Sequence, residues 1–270
     1  MNKIPVGVQV YSVRNEAQND LKGTIQQLKD MGYDGVELAG LYGHTAEEVR
    51  QILDEIGIPA ISAHVPYLEL VEDMEGTVRK YKEIGVEYIA VPYLTEEYRP
   101  GTDRFPEVVE NIRKIGQVCK ENGIVLLYHN HDFEFAKMED GSYALDYLYA
   151  TVPADILQTE LDTCWVNVGG EDPAAYVRKY AGRCPVVHLK DFVGTRSANM
   201  YELIGIESKE EAKSEEFGFR PVGYGVQDMH AIVTAALESG AKWVIVEQDQ
   251  SKERPPMEAV RMSIDYIRAL

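Results

Sequence analysis

The chain is 270 residues long, 45% hydrophobic and 27% charged, with 22 Gly and 12 Pro: a globular composition, too apolar for disorder and too broken by charge for a membrane protein. Its 45 acidic side chains against 27 basic ones give a net charge of −18, which would repel a phosphate backbone and argues against a nucleic-acid partner. The opening residues MNKIPVGVQVYS lack a signal peptide's apolar core, no run approaches the roughly 18 apolar residues of a membrane span, and three widely spaced cysteines without a CxxC pair fit a reducing, cytoplasmic compartment.

In chain order, IPVGVQVYSV at 4–13 reads as the first strand, with a helical pattern after it at 19–31. One unit then keeps returning: an amphipathic stretch, a Gly, and a short apolar run. It appears as LKDMGYDGVEL (28–38), LDEIGIPAISAHV (53–65), YKEIGVEYIAVPY (81–93), CKENGIVLLYHNH (119–131) and ALESGAKWVIVEQ (236–248). A Gly just past a helix takes the left-handed conformation that ends it. A run apolar at nearly every position suits a parallel strand covered on both faces. ADILQTELDT (154–163) and CPVVHLKDF (184–192) supply two further strands without the Gly. Helical patterns follow the later strands at 45–56, 71–84, 104–122, 142–151, 171–181, 226–239 and 256–269. Thr45, Asp103 and Ser142 stand where N-caps are wanted, and Glu48 completes a capping box with Thr45.

Eight strand–helix units filling residues 1–270 without a linker predict a single-domain (β/α)8 TIM barrel. A doubly wound open sheet is the alternative, but strand 1 lacks a GxGxxG turn. The one oversized connection, at about 193–225, carries the charged SKEEAKSEEFGF and reads as a solvated surface insertion, with a lid or dimer contact as the other options.

Chemistry in such a barrel sits at the C-terminal ends of the strands. Here the apolar runs end in Gln9 and Tyr11, Glu37, His64, His129 and His131, Glu160 and Asp162, His188 and Lys190, and Glu247 with Asp249. Residues two apart on a strand share a face, so each pair can point into one mouth. His44 and His230 fall outside it. A single polar residue at a strand end is usually a solvated loop residue, but eight strands ending this way predict a built polar site. Mixed His and carboxylates suit one divalent metal ion, Mn, Mg, Co or Zn.

VGVQVYSVRNE (6–16), MGYDGVELAG (31–40), YHNHDFEF (128–135), ELDTCWVNVGG (160–170), VVHLKDF (186–192) and VIVEQDQ (244–250) resemble the xylose isomerase-like barrel superfamily. The nearest group is its sugar phosphate isomerase/epimerase and inosose dehydratase-like members. The resemblance implies a metal held by a Glu, an Asp, a His and a second Glu on successive strands. Asp162, His188 and Glu247 match three of these positions. Where the first Glu is expected the chain reads YHNH, so His129 takes its place, with His131 and Glu134 as substitutes within reach. Glu134 matches a position that contacts substrate hydroxyls, and Lys190 resembles the Lys of dehydratase-like members.

The expected function is proton abstraction next to a carbonyl on a sugar, keto-sugar or inositol derivative, catalysed by Lys190, Glu247 and His131. The metal ligands would be His129, Asp162, His188 and Glu247, with Gln9, Tyr11, Glu37, His64, Glu134, Glu160 and Trp165 contacting a small sugar or polyol. Losing the first Glu breaks the carboxylate pair of the superfamily's epimerases and favours isomerisation or dehydration over epimerisation. An ammonium beside a metal could lose its charge, so Lys190 could act as acid or base; a salt bridge with Asp191 or Glu160 is its structural alternative. Trp165 could stack on a sugar or wedge the rim. Arg14 and Arg196 are candidates for an anionic group, although so few basic residues near the strand ends argue against a phosphorylated substrate. A nuclease of the AP-endonuclease type shares the fold but needs several zinc ions and more ligands. A non-catalytic metal-binding barrel is a third reading. Barrels of this kind often form homo-oligomers.

Overall fold

Eight parallel strands close into a barrel in the computed structural model of the chain, which describes residues 4–195 and 217–270. They are β1 (Val6–Gln9), β2 (Gly35–Ala39), β3 (Ala60–His64), β4 (Tyr88–Val91), β5 (Val125–His129), β6 (Leu157–Asp162), β7 (Val186–Leu189) and β10 (Trp243–Val246). Each pairs with the next, and β10 pairs with both β7 and β1 to seal the ring. Two short strands, β8 (Asp191–Val193) and β9 (Gly218–Arg220), form an antiparallel pair above it. Arg196 and most of the 193–225 connection lie outside the described residues.

The helices around the barrel are α1 (Arg14–Asn19), α2 (Leu21–Asp30), α3 (Ala46–Ile56), α4 (Tyr67–Glu72), α5 (Met74–Ile84), α6 (Phe105–Glu121), α7 (Ala144–Thr151), α8 (Thr163–Val168), α9 (Pro173–Lys179), α10 (Met229–Glu238) and α11 (Pro256–Ala269). The Gly signal holds: Gly57 ends α3 and Gly85 ends α5, both with positive φ, 72° and 94°. Thr45 and Glu48 form the expected capping box. Among the described residues no helix is long and apolar enough to cross a membrane.

Several expected boundaries move, each for a local reason. The first strand stops at Gln9 rather than 13, because its side-chain oxygen accepts the Tyr11 N–H at 3.0 Å and starts a 3-10 turn over Val10–Val13. The helices expected at 19–31 and 71–84 are α2 and α5, each starting slightly later because the Asp20 and Asp73 carboxylates cap them through Gly23 N and Gly76 N, and each preceded by a short helix, α1 or α4. The 171–181 helix is α9, capped by Asp172. Asp103 and Ser142 are not the caps they promised. α6 starts after Arg104 and α7 after Tyr143, neither with a side-chain cap, and Ser142 bonds Asp140 instead.

Apolar side chains fill the space between strands and helices, and a separate cluster of Ile61, Tyr88, Ala90, Leu127, Val186 and Ile245 packs together. These are core-facing positions of five barrel strands, so they plug the ring below its polar end. Ile61 reaches them because β3 carries an extra residue against β2 between Val36 and Glu37.

The chain leaving β7 is fixed by Asp191. Its Oδ1 accepts the N–H of Phe192 and Gln227, and its Oδ2 accepts those of Gly223 and Gly225, at 2.9–3.2 Å. A Cβ on Gly225 would collide with that carboxylate and with the Phe192 carbonyl. Gly225→Ala and Asp191→Ala are each expected to lower unfolding free energy by about 2 kcal/mol or more, read from urea denaturation; unchanged midpoints would show that the clamp contributes nothing.

Candidate active site

Strand register brings the polar ends together. Gln9 pairs with Glu37, His129 with Glu160, and Asp162 with His188. The twofold alternation continues past the strand ends, carrying His131, Lys190, Glu247 and Asp249 to the same side. Above them opens a cavity of about 450 Å³, lined by Tyr11, His64, His129, His131, Lys190, Glu247 and Asp249. Ala39, Gly40, Pro66, Glu69, Pro92 and Tyr93 complete its wall.

Its floor is a dense set of ionisable groups. His129, Asp162, His188 and Glu247 each offer a ligand atom within 4.8 Å of the others, as do His64, His129, Glu160 and His188. All six residues are buried. Asp162 divides its work: Oδ1 accepts the Trp165 N–H at 3.0 Å and caps α8, while Oδ2 faces the cluster without accepting a hydrogen bond. Glu160 Oε2 is likewise buried without a hydrogen-bond partner among the described residues. These two oxygens, Asp162 Oδ2 facing the Lys190 ammonium at 3.3 Å, stand beside two imidazoles and a second carboxylate, so the donor set fits a divalent metal. Of the three candidates for the fourth ligand, geometry brings His129 into range and leaves His131 and Glu134 outside both groups.

Lys190 is 1% exposed. Its ammonium lies 2.7 Å from Asp249, 3.0 Å from Glu247 and 3.3 Å from Asp162, so its partners are not Asp191 or Glu160. Burial pulls its pKa down, but the three carboxylates outweigh burial and hold it well above the ordinary lysine value. The expected loss of its charge is therefore reversed. Burial also works to raise Glu247, yet Lys190 and His188 hold it well below the usual carboxylate range. Burial pushes Asp249 up to about 7. It pushes the His131 and His129 imidazoles well below their ordinary value, aided by Lys190 and His188 respectively.

Below the cavity, Gln9, Glu37 and Glu160 are fully buried rather than exposed to a ligand. Burial and the charge of Glu37 raise Glu160 to about 7. For Glu37 burial is outweighed by His64 and His188, which bring it to about 2. Trp165 is also fully buried, with Lys190 5.5 Å from its ring centroid and Phe217 stacked on it at 6.3 Å. It is a wedge behind Lys190, not a platform in the cavity. Arg14 donates to the carbonyls of Tyr11 and Asp249 and lies over the Tyr11 ring, which fixes the rim. His44 and His230 lie outside the cavity lining, as expected. Asp249, Glu69, Pro92 and Tyr93 are cavity residues that the strand-end argument left without a role. Asp249 alone carried the signal, two residues past Glu247; the others sit on an apolar strand end or on α4.

Glu134 does not line the cavity. Its Oε1 accepts the Tyr128 hydroxyl at 2.6 Å and its Oε2 the His131 N–H at 2.8 Å, so it shapes the turn that presents His131. Burial lifts its pKa from 4.5 to about 8. The folded state thus holds this proton more tightly than the unfolded chain. Its contribution to stability is complete below the unfolded pKa and disappears as pH rises through about 8. Glu134→Gln, a neutral stand-in, is expected to remove that slope. Relative to the variant, the wild type should lose about 1 kcal/mol or more between about pH 5 and pH 8 in urea unfolding, and parallel curves would refute the assignment.

The profile of the xylose isomerase-like TIM barrel family matches residues 25–270. An inosose dehydratase from Geobacillus kaustophilus (strain HTA426) is 24% identical over 272 residues, covering 91% of this chain and 86% of its own. Among solved structures, a sugar phosphate isomerase/epimerase from Parabacteroides distasonis gives a TM-score of 0.79 at 22% identity, covering 100% of this chain and 95% of that one. An IolI protein with a bound zinc atom gives 0.72 at 16% identity, covering 97% and 96%. The solved structures speak to the fold, and the profile carries the assignment: the chain belongs to the xylose isomerase-like TIM barrel family.

Proposed function

We propose that the chain is a divalent-metal-dependent enzyme that removes a proton next to a carbonyl on an uncharged sugar, keto-sugar or inositol derivative. The observation that carries this reading is the convergence of His129, Asp162, His188 and Glu247 at the floor of an open cavity, with the Lys190 ammonium beside them. A Mn, Mg, Co or Zn ion held by those four side chains would supply Lewis-acid polarisation of a carbonyl and a neighbouring hydroxyl. His131 lines the cavity in a neutral form and is suited to accept the proton. Lys190, kept charged by three carboxylates, is suited to donate one and to stabilise negative charge that develops on substrate oxygen. Glu247, held ionised, fits a ligand better than a base.

Return of the proton to the neighbouring carbon, whose former carbonyl oxygen becomes a hydroxyl, gives isomerisation; delivery to a leaving hydroxyl, which departs as water, gives dehydration. The charged Lys190 and the inosose dehydratase relatives support the second outcome, while the Parabacteroides neighbour's name supports the first. Among the described residues of the cavity lining, Lys190 is the one lysine or arginine against Glu69, Glu247 and Asp249, and this balance supports a substrate without phosphate.

Metal analysis is expected to find one divalent ion per chain, and keto-sugars or inososes should take up solvent deuterium at the α-carbon when metal is present. Asp162→Ala should lose both metal and exchange. Lys190→Met should keep the ion but lose at least about 100-fold in turnover. An ion bound without exchange across a broad panel would make the chain a non-catalytic binder; several zinc ions per chain would favour the nuclease.

A further inference from the structure

Two overlapping donor sets meet at the cavity floor, and they compete for the same two imidazoles. His129 turns Nε2 toward Asp162 (3.7 Å) and Glu247 (3.9 Å), and Nδ1 toward Glu160 (3.1 Å). His188 turns Nδ1 toward Glu247 (3.0 Å) and Nε2 toward Glu37 (2.8 Å). A neutral imidazole has one lone pair and one N–H, so neither ring can serve as a ligand on both sides at once. One set must therefore hold the cation while the other receives the ring protons.

The surroundings decide which. Both sets reach the cavity, the upper through His129 and Glu247 and the lower through His64 and His129, but the upper set brings two carboxylates, Asp162 and Glu247, to a divalent cation and the lower set only Glu160. In each lower carboxylate the Oε1 atom is taken by neighbouring nitrogens, while Oε2 accepts no hydrogen bond among the described residues. Glu160 Oε1 faces His64 Nε2 at 2.6 Å and His129 Nδ1 at 3.1 Å. Glu37 Oε1 faces Gln9 Nε2 at 2.8 Å and His188 Nε2 at 2.8 Å. His64 Nε2 also lies 3.2 Å from Glu37 Oε1, and His188 Nε2 3.3 Å from Glu160 Oε1, so the two carboxylates share the far side of the imidazoles. Gln9 is itself oriented by the Tyr11 N–H, and His64 reaches the cavity wall.

We infer that Glu160 and Glu37 are positioning residues that take the far N–H of His129 and His188, fixing both tautomers so that His129 Nε2 and His188 Nδ1 face a single cation. This rests on the metal reading above. Carboxylates behind ligating histidines orient the rings and make them more basic, and their loss typically costs roughly 10- to 100-fold in metal affinity.

The test uses Co²⁺ and Mn²⁺ alone with the full-length chain. Chelator competition gives the affinity, metal analysis the stoichiometry, and the visible spectrum of the Co²⁺ form the ligand field. Glu160→Gln and Glu37→Gln, nearly isosteric, are expected to bind one ion with roughly 10- to 100-fold weaker affinity and a shifted Co²⁺ spectrum. Both should melt close to the wild type in EDTA. Unchanged affinity and spectrum in both variants would overturn the inference alone. Two ions in the wild type, one lost in Glu160→Gln, would overturn it by making the lower set a second metal site. Collapse of both metal-free variants would reduce the network to a structural one. No Co²⁺ or Mn²⁺ binding by the wild type would remove the metal reading and this inference together.

Discussion

Burying Glu37, Glu160, Asp162, Glu247 and Asp249 inside one ring of strands is tolerable only because opposite charge is buried with them. An isolated carboxylate in such a place would take up a proton or destabilise the fold by several kcal/mol. Lys190 sits among Asp162, Glu247 and Asp249, while His64 and His188 sit against Glu37 and Glu160. Much else in the upper barrel serves this arrangement. Asp162 caps α8 with one oxygen while presenting the other, Trp165 closes the space behind the ammonium, and Asp191 ties down the chain immediately after it. A change to one of these groups leaves its partner's charge unmatched, so such sites behave as units rather than sums of pairs.

The sequence was most informative where a period or a conformational demand left a trace. Gly57 and Gly85 end helices because a left-handed residue is needed there, and Thr45 with Glu48 repeats a cap visible in four letters. The pairs His188/Lys190 and Glu247/Asp249 were legible because strand side chains alternate. Periodicity did not reveal the short helices α1 and α4 before Asp20 and Asp73, since of its six residues α1 buries Ala17 alone and α4 buries Tyr67 and Leu70. Nor could it say which strand-end groups reach the cavity and which lie beneath it: Gln9, Glu37 and Glu160 differ from Tyr11 and His64 in depth, not in pattern. Glu69 and Tyr93 were hidden because the short helix α4 and the loop after β4, rather than a strand end, deliver them. Glu134 resembled a substrate contact, but in the fold its oxygens go to Tyr128 and His131.

On the proposed reading, His129 would stand where the resemblance implies a carboxylate, and an imidazole there makes the seat less negative by one charge. The Lys190 ammonium counters three of the carboxylates that remain. A less negative seat beside a retained ammonium is better suited to donating a proton at one edge of a substrate than to exchanging protons across two faces.

The apolar plug below the polar layer has a consequence for traffic. With Ile61, Tyr88, Ala90, Leu127, Val186 and Ile245 packed across the ring, the barrel is a blind sac rather than a channel. Whatever enters, a small molecule, a water or an ion, must turn round and depart by the same door. Arrival and departure then exclude each other, and the rim formed by Tyr11, Tyr93 and Pro66 governs both directions of passage.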